Sequence, residues 1–249
     1  MTGSGVTKVP ALTASFWVIK ILATTLGETG GDAVSMSLGL GYLAATAIFL
    51  VGLVLAVAAQ IAAPRFHSML YWTTIVATTT VGTTLADLAT RSLGIGYAGG
   101  STLLFALLMG SLALWRGTMG SVAVDSVSGR AAERFYWVTI LFSQTLGTAL
   151  GDWTSDSAGF GYAGSAVAFG ALLALVAAAY FLTDISHTAL FWSAFILTRP
   201  LGAVLGDLLD KPVEAGGMAL SRYAASGVLL VFIVLSILIF PQRASERRH

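Results

Sequence analysis

The sequence predicts an all-α integral membrane protein: eight transmembrane helices, made by four parallel two-helix repeats that pair into two pseudo-symmetric halves. Three observations predict it. The 249 residues are 56% hydrophobic and only 10% charged, with a mean hydropathy of +0.85, whereas soluble domains carry about a quarter of their residues as charges. Eight segments approach the roughly 20 apolar residues that cross a bilayer as a helix. One pattern of tryptophan, glycine and aspartate recurs four times in register.

The spans fall at about 14–36, 42–63, 70–92, 97–115, 135–157, 162–182, 189–210 and 222–240. In lipid every backbone amide must pair within its own segment, so each span is expected to be helical. Basic residues set orientation. Lys8, Arg65, Arg116, Arg130, Arg134, Arg243, Arg247 and Arg248 fall on one set of flanks and loops, and only Arg91, Lys211 and Arg222 on the other. Both termini are therefore expected on the cytoplasmic side of the cell (inner) membrane. No removable signal peptide is expected, because no basic stretch leads into a cleavage site ahead of a soluble domain. A net charge of +1 offers no field for nucleic acid, and the absence of cysteine excludes thiol catalysis, thiolate metal sites and disulfides.

Trp17, Trp72, Trp137 and Trp192 are followed ten residues later by Gly27, Gly82, Gly147 and Gly202, and fifteen later by Asp32, Asp87, Asp152 and Asp207. Three copies continue to GLGY (39–42), GIGY (94–97) and GFGY (159–162); the fourth runs EAGGMALSRY instead. Tryptophan spacings of 55, 65 and 55 pair the copies into an N-terminal half, 1–116, and a C-terminal half, 135–249, with the polar stretch 117–134 as a cytoplasmic linker. Two spans per copy give every copy the same orientation, so the repeats are parallel. With KILATTLGETGGD and the recurring GxGY, the chain from about 12 to 240 resembles a family of bacterial multi-span membrane proteins. That family is built of four tandem two-helix repeats and is known as a repeat of unknown function. The resemblance implies the architecture and no activity.

Residues four apart share a helix face. Lys20, Thr24, Glu28 and Asp32 form such a line. The matching lines are Ile75, Thr79, Thr83, Asp87; Ile140, Gln144, Thr148, Asp152; and Phe195, Arg199, Ala203, Asp207. Gly27/Gly31, Gly82/Ala86, Gly147/Gly151 and Gly202/Gly206 flank them, and such small pairs let membrane helices approach closely. The even-numbered spans carry no charge in their interiors and are expected to form an outer ring around the four odd ones. At 1.5 Å per residue the aspartates lie roughly 22 Å beyond the tryptophans.

Five carboxylates in the spans (Glu28, Asp32, Asp87, Asp152, Asp207) face two bases, Lys20 and Arg199, an excess of three negative charges. Such groups are costly in a bilayer and face a cavity or a partner. Arg91 and Lys211 stand four residues after Asp87 and Asp207 and can pair with them; Asp32 has no base at that spacing, and Asp152 has the like charge Asp156. Oxygen ligands without cysteine suit a proton or a hard cation. The expectation is a transporter of a small cation, proton-coupled Na⁺ or a hard divalent metal such as Mn²⁺ or Mg²⁺. Glu28, Asp32, Asp87, Asp152, Asp207, Thr83, Thr148 and Gln144 are its candidate cation-binding or proton-relay residues, with Lys20 and Arg199 as charge partners or gates. No catalytic residue, cofactor or nucleic-acid partner is expected; the partners are the lipid bilayer and the cation, and the reading admits a homo-oligomer. The alternatives are a scaffold subunit without transport and an intramembrane aspartate-dependent enzyme. The repeat tryptophans and Tyr42, Tyr97 and Tyr162 are expected as interface anchors.

Overall fold

The computed structural model describes residues 7–245; Arg247 and Arg248, counted above among the cytoplasmic bases, lie outside the described residues. Eight long helices follow one another: α1 (Ala14–Asp32), α2 (Gly41–Ala62), α3 (Ser68–Asp87), α4 (Gly96–Met119), α5 (Arg130–Asp152), α6 (Gly161–Leu182), α7 (His187–Asp210) and α8 (Arg222–Ile239). Among the described residues the β structure is a single isolated bridge, Pro10 to Ala244, which ties the two terminal segments together.

Local chemistry sets the boundaries. Thr13 caps α1, its hydroxyl accepting from the Phe16 amide, and Ser221 does the same for α8, each satisfying an amide that the helix leaves unpaired. In the first three repeats the aspartate is the last α-helical residue, and a five-residue π turn follows: Ala33–Ser37, Leu88–Ser92 and Trp153–Ser157. The GxGY turns come next. Both glycines of each have positive φ, between 62° and 79°, a conformation that costs glycine little and other residues more. The fourth repeat has no such turn; α7 runs on to Asp210, and a short 3-10 turn, Val213–Ala215, leads towards α8.

Helices α1, α3, α5 and α7 pack in a closed ring, each against the next and α7 back against α1. Each even helix packs on the odd helix of the following repeat: α2 on α3, α4 on α5, α6 on α7 and α8 on α1. The repeats thus interlock, and the last closes on the first. The glycines explain the close approach, for Gly27 faces Thr79, Gly82 faces Gln144, Gly147 faces Arg199 and Gly202 faces Thr24. A Cβ added at Gly82 would stand 3.0 Å from the Gln144 backbone.

Among the described residues, α2, α4, α6, α7 and α8 are long and apolar enough to cross a membrane. The even helices turn large apolar side chains outward, among them Leu55, Phe105, Val167, Leu175 and Val231. Helices α1, α3 and α5 fall short because threonines, glycines and charges stand among the residues they bury in the ring.

Candidate functional site

The four polar lines meet along the ring axis as stacked levels, one residue from each odd helix. The line extends one turn further than the sequence reading took it. Phe16, Tyr71, Tyr136 and Phe191 form a first level, all buried. Each packs on the repeat tryptophan of a neighbouring helix: Phe16 on Trp72, Tyr71 on Trp137, Tyr136 on Trp192 and Phe191 on Trp17, with ring centres 5.4, 5.7, 6.4 and 6.0 Å apart. Aromatic pairs attract at these separations. The tryptophans were expected at the membrane interface; instead Trp72, Trp137 and Trp192 are buried in the seams between odd helices, each against the first-level ring of a neighbouring helix. The linker covers this end, with Val124 and Val127 buried and the Val122 carbonyl accepting from Trp192 Nε1 at 2.9 Å.

Lys20, Ile75, Ile140 and Phe195 form the second level, all fully buried. Lys20 Nζ lies 4.1 Å from the centre of the Phe195 ring and donates to Thr198 Oγ1 at 3.3 Å. It forms no ion pair among the described residues.

The next two levels, Thr24/Thr79/Gln144/Arg199 and Glu28/Thr83/Thr148/Ala203, are dominated by one side chain. The Arg199 guanidinium leaves α7 and pairs with Glu28 Oε2 at 3.0 Å. It donates to Thr83 Oγ1 at 2.6 Å, to Thr148 Oγ1, and to the Thr24 carbonyl at 3.3 Å. One cation therefore ties all three other odd helices to its own. Gln144 is fully buried beside it, and neither side-chain polar atom has a hydrogen-bond partner among the described residues.

Asp32, Asp87, Asp152 and Asp207 form the last level, none more than 2% exposed. Two bases bridge them. Lys211 Nζ lies 2.6 Å from Asp32 and 3.0 Å from Asp207; Arg91 lies 2.8 Å from Asp87 and 3.0 Å from Asp152. The expected pairs within one helix, Asp87–Arg91 and Asp207–Lys211, are present. The expectation that Asp32 and Asp152 lack a base is corrected: each is reached across a helix seam, a contact that spacing along one helix does not reveal. Arg222 adds a bond to Asp210 at 2.9 Å and lies 3.8 Å from Asp32. Asp156 lies 3.8 Å from Arg91 and accepts from the Tyr97 hydroxyl at 3.0 Å, so Tyr97 braces the bridge as well as ending a turn. With Asp156 and Asp210 included, seven carboxylates face five bases, an excess of two rather than three. Burial alone would lower the Lys211 pKa, but Asp207 and Asp32 outweigh it and hold the ammonium above its ordinary value.

Polar helices closed into a ring, jacketed by apolar ones and contributing one buried aspartate each to a shared end, define a four-repeat helical bundle with an acidic axial site. The chain belongs to the family described as Repeat of Unknown Function (DUF347), whose model matches residues 15–66, 70–121, 135–186 and 190–244. No curated protein and no solved structure matches it.

Proposed function

We propose that the protein is an inner-membrane carrier for a small cation, its four repeats arranged as two pseudo-symmetric halves with both termini cytoplasmic. The observation that carries this reading is the convergence of one buried aspartate per repeat on a single end of the axis. There, two tethered cations, Arg91 and Lys211, already lie among them. A site that holds an ammonium between two carboxylates has the charge and the oxygen atoms to hold a free cation. The rest of the axis supports a carrier over an open channel, because Arg199 crosses the centre and the aromatic level fills the far end.

The outward apolar faces of the even helices support insertion in lipid. The orientation is supported by what the minority bases do. Arg91, Lys211 and Arg222 are all engaged by carboxylates, so the contrast between the two ends is sharper than a count of basic residues suggests.

Flux tests the proposal. In vesicles reconstituted with purified protein, proton, Na⁺ and Mn²⁺ movement is followed with entrapped indicators. Asp32→Asn and Asp152→Asn are expected to abolish the flux that the wild type supports; unchanged flux in both variants removes the aspartates from the mechanism. A second reading, a scaffold whose polar levels only specify packing, is favoured by the base found beside every ring aspartate. It becomes the better account if the wild type moves none of the three ions. Those ion pairs also weigh against aspartate-dependent proteolysis, which needs two carboxyl groups sharing a proton.

A further inference from the structure

The two bridges on the aspartate ring are one construction repeated 120 residues apart: Asp87, Arg91 and Asp152 correspond to Asp207, Lys211 and Asp32 of the other seam. They differ where it matters for a ligand. At the α3–α5 seam the bridge is an arginine, a planar fork that stays charged and holds two carboxylates in fixed geometry, and the residue one turn back from Asp152 is Thr148. At the α7–α1 seam the bridge is a lysine, a single point charge on a flexible stem that lies just beyond α7 with its side chain 12% exposed. One turn back from Asp32 stands Glu28, a third carboxylate. The exchange is matched across the seam: Ala86 is replaced by Gly206, where an added Cβ would lie 2.6 Å from Glu28 Cβ.

One oxygen from each of Glu28, Asp32 and Asp207 lies within 4.8 Å of the other two. A hard cation holds its oxygens at about 2.0–2.6 Å, so two of its ligands stand roughly 3–5 Å apart, and the three groups already meet that spacing. Lys211 bonds Asp32 Oδ2; Asp32 Oδ1 is buried and has no hydrogen-bond partner among the described residues.

We propose that Glu28, Asp32 and Asp207 form a binding site for a hard divalent cation at the α7–α1 seam. The Lys211 ammonium is its tethered stand-in, displaced outward when the ion enters, while the Arg91 seam stays closed. The inference rests on the cation reading above but concerns binding, and it can fail or hold separately from transport.

The test uses the full chain in detergent, with Mn²⁺, Mg²⁺ and Na⁺ titrated by calorimetry and by shift in melting temperature. Divalent ions should bind the wild type and stabilise it. Lys211→Met removes the competitor and should tighten divalent binding by about tenfold or more, whereas Glu28→Gln should weaken it by about as much. Because Lys211→Met also strands two carboxylates, Lys211→Arg serves as a charge-preserving control. It makes this seam resemble the other and should weaken binding, while Arg91→Lys should leave the affinity unchanged. Equal divalent affinity in wild type, Lys211→Arg and Glu28→Gln would overturn the site, as would binding of Na⁺ alone or no binding in wild type and Lys211→Met. Binding at the seam without vesicle flux overturns only the carrier reading; flux without seam binding overturns only this inference.

Discussion

Arg199→Met asks whether the central guanidinium holds the ring together. The substitution keeps an unbranched side chain against Gly147 but removes the charge that faces Glu28 at 3.0 Å and the donors to Thr83, Thr148 and the Thr24 carbonyl. Taking one partner from a buried ion pair costs about 3–5 kcal/mol, because the other is left charged without compensation. A chain of this size loses about 2–4 °C of melting temperature per kcal/mol on the soluble-protein scale, so the single variant should melt roughly 6–20 °C lower. Replacing both partners should cost far less, since a buried pair exchanged for uncharged groups is often close to neutral. Glu28→Gln combined with Arg199→Met is therefore expected to recover most of the loss, with the coupling read from a double-mutant cycle. Scanning fluorimetry in one detergent at one pH supplies the four melting temperatures. If Arg199→Met melts with the wild type, or the double variant melts below Arg199→Met, the guanidinium is not the keystone and the mutual neutralisation of Glu28 and Arg199 is wrong.

Two further outcomes follow from packing. Gly202→Ala places a methyl into the Thr24 side chain and should cost about 1–3 kcal/mol by overpacking; Gly170→Ala on the outer helix α6 meets nothing within 4 Å and should shift stability by less than about 1 kcal/mol. Melting temperatures of the pair check this, and equal losses would refute seam contact as the role of the repeat glycine. In the aromatic level, the Tyr71 and Tyr136 hydroxyls are buried 2.7 Å apart. Tyr71→Phe strands its partner and should cost about 1–3 kcal/mol, most of which Tyr136→Phe in the same chain should return; a doubly substituted protein less stable than the single one would contradict the pairing.

The fold was legible because duplication supplied its own control. The i, i+4 lines and the small residues beside them identified the buried face of each odd helix, and all twenty-four of the positions they named are buried. The register between helices was not legible. Arg91 and Lys211 look like same-helix partners when only one helix is read, yet each also spans a seam to the aspartate of another repeat. Their equivalence across 120 residues was the available signal. The tryptophans misled because an indole at the end of an apolar span suits an interface as well as an interior seam, and only the helix-to-helix register decides between the two. The π turns after Asp32, Asp87 and Asp152 left no trace in composition or periodicity.

The repeats also show what packing alone requires. Copies two and three supply Ile75, Thr79 and Thr83, and Ile140, Gln144 and Thr148, to the levels where copies one and four place Lys20, Glu28 and Arg199. Helices α3 and α5 thus meet in the same ring, with the same glycine contacts, without a charge at any of these levels. Geometry therefore does not demand the three ionisable groups. Each carries a desolvation penalty that a threonine or isoleucine would avoid, and Lys20 carries it with no ion pair among the described residues. All three stand on α1 and α7, the pair whose shared seam also holds the base Lys211 and, just beyond it, Arg222 and Asp210. Their concentration on α1 and α7 is what the cation site proposed at that seam would produce, while Arg199 also serves the ring, since its guanidinium reaches Thr83 on α3 and Thr148 on α5.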